Sequence, residues 1–312
     1  VGLILVAYSD LSIGLMFAMF GYIWFIMTPV QDILTIQYAY ASASAAINRI
    51  NKILDLKCEK NGVEKLPENS RKIDISIQNL NFSYKEDKAT LKDVTFNIKS
   101  GDKVAIIGAS GSGKTTIAHL ISGFYSKDSG DILYNNISID KLSRQSLREN
   151  IFLVLQMPIL FNNTLRFNIT MGNENISDEE IFKALKIAQL LQTVENMTNG
   201  LETIVGKHGI RLSGGQRQRL SIARMIIANP AIVIFDESTS ALDVHTEVKL
   251  FSDLEEFLKD KTVITIAHRL STVKNADIIY VIDEGKVVQS GNHKALEEKE
   301  GHYLEFIKKQ LI

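Results

Sequence analysis

At 312 residues the chain has room for one sizeable core and a smaller second unit. Its 35 basic and 36 acidic residues leave a formal net charge of −1, which argues against a nucleic-acid partner, since such binders usually carry a strong basic excess. Cys58 is the single cysteine, so no intrachain disulfide forms and the thiol reads as incidental in a reducing compartment.

Val1 to Ala7 is apolar, too short to span a bilayer, and begins without a methionine. It reads as the tail of a preceding membrane helix, which makes the chain the expected C-terminal portion of a longer protein; an alternative start codon rendered as Val is the other explanation. No charged residue falls between Asp10 and Asp32, and Leu11 to Val30 supplies 20 positions rich in Leu, Ile, Met, Phe and Trp24. A helix of that length covers about 30 Å, the thickness of a bilayer core. A signal peptide fits poorly, because no basic region precedes the run and it exceeds the usual apolar stretch of about 7–15 residues. A buried core helix is the remaining alternative. Arg49, Lys52 and Lys57 follow the run, whereas Val1 to Asp10 holds no Lys or Arg, so positive-inside logic places the rest of the chain in the cytosol. Helical spacing continues through Ile36, Tyr40, Ala43, Ile47, Ile50 and Leu54, as a stalk running on from the membrane. Residues 57–72, polar and containing Asn61-Gly62 and Pro67, read as a linker. The expected organisation is therefore 1–56 membrane part, 57–72 linker and 73–312 cytosolic domain.

In the cytosolic part, Ile73, Ile75 and Ile77 alternate with polar residues, as do Val94, Phe96 and Ile98, predicting half-buried antiparallel strands. Tyr84 ends the first. Its ring either stacks on an adenine or packs at the strand end. Val104 to Ile107 is wholly apolar, as a parallel strand buried on both faces requires. It runs into Gly108-Ala109-Ser110-Gly111-Ser112-Gly113-Lys114-Thr115-Thr116, the pattern G-x-x-x-x-G-K-S/T, and then into a helix marked by Ile117, Leu120 and Ile121 with Gly123 as its C-terminal cap. Glycines there let successive N–H groups and the helix N-terminus face one anion, a triphosphate. Lys114 would reach the β- and γ-phosphates while the Thr115 hydroxyl holds Mg²⁺. Another short strand, Ile132 to Tyr134, turns at Asn135-Asn136.

Ile232 to Phe235 is apolar and runs into Asp236-Glu237; Val263 to Ala267 runs into His268. Ligands of parallel sheets sit at the C-terminal strand ends, where Gly108, Asp236 and His268 all fall. Asp236 is placed for the Mg²⁺ shell and Glu237 to polarise the attacking water, unless the two carboxylates are merely a solvated strand end. Between these strands, Leu212-Ser213-Gly214-Gly215-Gln216 opens a helix carrying Leu220, Ala223 and Ile227. If it is more than a loop, it is a second anion cradle, and a head-to-tail pair of chains would let each present it to the γ-phosphate held by the other.

Leu212 to Gln216 matches the LSGGQ signature, and with the phosphate loop and Asp236-Glu237 the chain resembles fused exporters of the ATP-binding cassette (ABC) family. The resemblance implies an α/β P-loop NTPase cassette, with a mixed sheet core, an antiparallel β subdomain and a helical signature subdomain, preceded by a transmembrane helix. It implies that Tyr84 is the adenine-stacking aromatic and that Ser110, Gly111, Ser112, Gly113 and Thr116 join Gly108, Lys114 and Thr115 around the nucleotide. Gln156 resembles the Q-loop residue that senses Mg²⁺ and touches the membrane domain, Ser240 to Asp243 the D-loop, and His268 the switch histidine on the γ-phosphate. His119, His208, His245, His293 and His302 match no functional position. Ser9 to Gly14, Pro29 and the descent from Ala41 to Asp55 resemble the last membrane helix of such exporters. Thr203 to Gly209 resembles their X-loop, with Lys207 where a glutamate is usual, which puts the usual coupling contact in doubt.

With these residues intact, the expected function is ATP hydrolysis with Mg²⁺ in a cassette dimer, driving export or flipping across the cell membrane with the cassette in the cytoplasm. A homodimer is favoured over a heterodimer, membrane lipid surrounds the helix, and the cargo is not legible. A single spanning helix cannot enclose a pathway, so transport needs further helices. A soluble cassette ATPase of DNA repair or translation would lack Leu11 to Val30, and a regulatory cassette would usually have a damaged carboxylate or signature.

Overall fold

The computed structural model describes residues 12–56, 59, 61–67, 72–85, 88–236, 243–267 and 270–310. The chain divides into two compact units, Val1–Lys60 and Asn61–Ile312.

The described part of the first unit is essentially one helix, Ile13–Leu54, of 42 residues. Ser12 caps it, its hydroxyl accepting from the Leu15 N–H at 3.2 Å. At 1.5 Å per residue it is about 63 Å long, twice a bilayer core of about 30 Å. The apolar run and the stalk pattern form one element, with Pro29 inside it. Pro29 removes the donor that would meet the Phe25 carbonyl, and the Thr28 hydroxyl bonds the preceding carbonyl, that of Trp24, at 3.1 Å. No residue of the helix is buried, and Trp24 and Phe25 are each 77% exposed. Among the described residues it is the one helix long and apolar enough to cross a membrane.

In the second unit, β1 (Ile75–Lys85), β2 (Lys88–Ile98), β4 (Ser129–Tyr134) and β5 (Ile137–Ser138) form an antiparallel sheet in the order β2-β1-β4-β5. Asn135 and Asn136, both at positive φ (49° and 67°), make the tight turn between β4 and β5. A six-stranded sheet has the order β12-β11-β3-β10-β9-β6, from β3 (Lys103–Gly108), β6 (Ile151–Val154), β9 (Ile232–Asp236), β10 (Thr262–Ile266), β11 (Ile278–Asp283) and β12 (Lys286–Gly291). All its pairs are parallel except β11 with β12. A ribbon of β7 (Asn163–Thr164) and β8 (Ile204–Val205) stands apart.

Alternation divides the six-stranded sheet between cores, because successive side chains point to opposite faces. Val104 and Ile106 of β3, with Ile232 and Ile234 of β9, pack toward the antiparallel sheet and the helix Lys114–Ile121. Val233 and Phe235 of β9 pack toward the helices Gly214–Ala228 and Val244–Leu258, while Ala105 and Ile107 of β3 meet Leu296, Tyr303 and Ile307. Burial on both faces is what the unbroken apolar runs of β3 and β9 require.

Residues 61–66, within the stretch read as a linker, are fixed to the loop and helix at 141–146. Gly62 and Glu64 donate to the carbonyls of Leu142 and Lys141, Ser143 donates back to Glu64, and the Leu66 N–H bonds the buried Ser146 hydroxyl at 2.9 Å. Leu66 itself is 1% exposed.

Candidate nucleotide-binding site

The phosphate loop leaves the end of β3 and enters the helix Lys114–Ile121. Gly108, Gly111 and Gly113 take φ of 150°, 78° and 108°, values that side chains resist. A Cβ on Gly108 would run into the Ile282 carbonyl oxygen, and one on Gly113 would lie 2.6 Å from Leu91 Cδ2. The loop is buttressed from β11–β12, where the Gly285 N–H donates to the Ser112 carbonyl at 3.1 Å. Lys114 is buried, and its Nζ turns back to the carbonyls of Gly108 (3.0 Å) and Ala109 (2.8 Å), so its charge lies inside the curl of the loop. Among the described residues, Ser112 Oγ is buried with no hydrogen-bond partner, which leaves its hydroxyl available to a ligand.

Register brings the strand ends level. Ile106 pairs with Ile266, Ile266 with Asp236, and Val154 with Phe235, so β3, β10, β9 and β6 finish side by side. The Thr115 hydroxyl donates to Asp236 Oδ1 at 3.1 Å, joining residues 121 positions apart. Asp236 is 5% exposed, and a buried carboxylate facing a hydroxyl at a strand end is the oxygen-rich donor set that Mg²⁺ takes. The cradle and donors therefore fit a nucleotide triphosphate with its cation. Gln156 follows β6 immediately beyond this line and is exposed.

Tyr84 is half exposed and edge-on to Phe82 (4.9 Å) and Tyr125 (5.2 Å). Its hydroxyl lies 3.3 Å from that of Thr116, on the phosphate-loop helix. His119 packs in the same aromatic group, against Phe124 and Tyr125, and burial lowers its pKa despite the opposing pull of Asp236.

Ser213, Gly214, Gly215 and Gln216 form the N-terminus of the helix Gly214–Ala228. Ser213 Oγ accepts from the Gln216 N–H (3.2 Å), and Gln216 Oε1 accepts from the Ser213 N–H (2.8 Å), a reciprocal capping box. Among the described residues, no hydrogen bond ties these four to the phosphate loop of the same chain. Asp243 caps the next helix, accepting from the Thr246 N–H at 2.9 Å, and its charge reaches Arg219. Glu237, His268 and Ser240 to Leu242 lie outside the described residues.

Three residues that the sequence reading passed over also belong to this region. Gln218, 1% exposed, donates Nε2 to the Gln156 carbonyl at 3.3 Å. Arg224 donates to the Ile159 carbonyl at 2.9 Å and to Asn168, which is fully buried. The signal was a polar residue on a core-facing helix position, at Gln218 beside Leu220 and Ile222.

Residues 91–240 match the family model described as ABC transporter. The chain is 41% identical over 302 residues to the ATP-dependent lipid A-core flippase of Haemophilus influenzae (strain 86-028NP), covering 96% of this chain and 51% of that protein. The protein of the same description from Saccharophagus degradans is 40% identical over 296 residues, 95% of this chain and 50% of its own. The structure of a bacterial Atm1-family ABC exporter with ATP bound superposes with a TM-score of 0.80 at 32% identity, over 97% of this chain and 53% of that one. The chain thus spans about half the length of the relatives it matches. Its phosphate loop, its Asp236 and its LSGGQ helix lie on one cassette fold, and residues 91–240 of the chain form an ABC transporter domain.

Proposed function

We propose that this chain supplies an ATP-hydrolysing cassette and an adjoining membrane helix of an ABC exporter, working as a head-to-tail pair. The observation that carries the reading is the Thr115–Asp236 contact at 3.1 Å beside the folded-back Lys114. When ATP enters, Lys114 exchanges the Gly108 and Ala109 carbonyls for phosphate oxygens, and the Ser112 hydroxyl gains an acceptor. Thr115, Asp236 and Gln156 would hold Mg²⁺, which would supply charge neutralisation on the triphosphate. Tyr84 stacks on the adenine, and backbone N–H groups from Gly108 through Thr116, with Ser110 and Gly111 at the bend, surround the phosphates. Glu237 orients and polarises the water, and His268 contacts the γ-phosphate. Ser213, Gly214, Gly215 and Gln216 of one chain complete the site of the other, with Asp243 at the same junction.

The domain arrangement follows from this reading: residues 1–56 belong to the membrane domain and 73–312 to the cassette, which lies in the cytoplasm. A cleft of about 540 Å³, lined by Pro158, Ile159, Phe161 and Met171, opens beside the segment after Gln156. The flippase relatives support a lipid as cargo. ATP turnover measured against protein concentration, with and without Mg²⁺, tests the proposal. Turnover that needs Mg²⁺ and rises faster than linearly is expected, and Glu237→Gln should trap an ATP-bound pair. Turnover strictly linear in concentration, or unchanged in Glu237→Gln, overturns it.

A further inference from the structure

Two polar side chains of the helix Gly214–Ala228 are spent on the strap that follows β6. Gln218 is buried, gives Nε2 to the Gln156 carbonyl at 3.3 Å, and leaves Oε1 with no partner among the described residues. Arg224 gives Nη1 to the Ile159 carbonyl (2.9 Å), Nε to the Asn168 carbonyl (2.5 Å) and Nη2 to Asn168 Oδ1 (2.9 Å). Asn168 passes the grip on: its Nδ2 reaches the carbonyls of Phe161 and Thr164, both at 3.0 Å, and its Oδ1 accepts from the Phe161 N–H at 2.9 Å. Among the described residues, every partner of Arg224 is a neutral carbonyl-type oxygen, and burial holds its guanidinium below the usual value. A half-bonded buried amide and a desolvated cation without a carboxylate are poor choices for packing, where an apolar side chain of the same shape serves better. Their use is explained by what they hold: residues 156, 159, 161 and 164 of one strap.

We propose that Gln218 and Arg224 are positioning residues for Gln156, mooring the strap 156–164 to the signature helix so that Gln156 and Ser213 shift as one piece. The inference rests on the nucleotide-facing roles of Gln156 and Ser213 proposed above. In a head-to-tail pair Gln156 serves the nucleotide on its own phosphate loop and Ser213 the nucleotide on the partner's. The mooring therefore makes occupancy of one site felt at the other, and the cooperativity of ATP turnover is the property it sets.

The test uses the full chain carrying Gln218→Met or Arg224→Lys, each alone and with Gln156→Ala. Gln218→Met keeps shape and removes an orphaned acceptor, so it should fold with an unchanged melting temperature; Arg224→Lys keeps the charge and loses the fork. In both, amide hydrogen exchange of residues 157–162 without nucleotide should quicken about tenfold, since the strap then opens locally. The Hill coefficient for ATP should fall toward unity, and neither substitution should change turnover further once Gln156 is alanine. Unchanged exchange overturns the mooring. Quickened exchange with an equal loss of turnover in the Gln156→Ala background overturns action through Gln156. Full cooperative turnover in Gln156→Ala alone overturns the role assigned to Gln156, an outcome the exchange measurement keeps separate from the mooring itself.

Discussion

Gly108 shows how little freedom a single residue has at this site. Its φ of 150° and the Ile282 carbonyl beside its α-carbon leave no room for a methyl group. Gly108→Ala should cost the cassette on the order of 2–4 kcal/mol, read as a lower melting temperature, and abolish nucleotide binding with it. His119 makes a different prediction. Burial lowers its pKa in the folded chain, with Asp236 only partly offsetting the shift. The neutral ring is thus the folded form, and its stabilisation is full above the ordinary value of 6.5 and lost as pH falls through the lowered folded value. Melting temperatures of the native chain should drop more between pH 7 and 5 than those of His119→Phe; parallel curves would refute it. The phosphate loop and Asp236 were legible because each is a contiguous pattern whose chemistry depends on neighbours in sequence. Asn168 was not, since nothing local distinguishes an asparagine that fills a loop from one on a surface.

At the scale of elements, the signature segment is a helix cap to which the proposed function adds a phosphate contact on the same geometry. Ser213 and Gln216 were read as part of an anion cradle, and the structure adds that they close a capping box at the head of their own helix. Ser213→Ala should cost about 1 kcal/mol as a lost cap. Its turnover should fall about tenfold or more, because a hydrogen bond to a charged phosphate is worth about 1.5–3 kcal/mol. The segment 61–66 teaches a complementary lesson. Its Asn-Gly and polar composition read as a linker, yet its backbone is paired with residues about 80 positions later, a contact no local pattern announces. Ser146→Ala leaves the Leu66 N–H buried without a partner, costing about 1–3 kcal/mol. Tryptic cleavage after Lys65 should quicken in that variant; an unchanged rate would show that Leu66 burial alone holds the segment. Strands β3 and β9 were legible for the opposite reason: burial on both faces prints itself as an unbroken apolar run.

For the whole molecule, the decisive feature is that one chain carries a phosphate loop and a signature helix with no hydrogen bond between them among the described residues. If two chains complete each other's sites, Lys114→Ala chains should be inactive alone, Ser213→Ala chains should keep about a tenth of native turnover or less, and mixing the two should raise turnover above either alone. The mixed pair holds one doubly damaged site and one intact site, so about a quarter of native turnover is expected for independent sites in a random mixture. No restoration would mean that each chain works alone or that both sites must fire together. The exposed helix has a consequence for spectroscopy. Trp24 is the chain's only tryptophan and lies on Ile13–Leu54, so the cassette contributes no indole emission. Intrinsic tryptophan fluorescence therefore reports the surroundings of that helix alone, and a change of its colour on adding ATP is a direct optical record of the apolar helix responding to nucleotide, with no label attached.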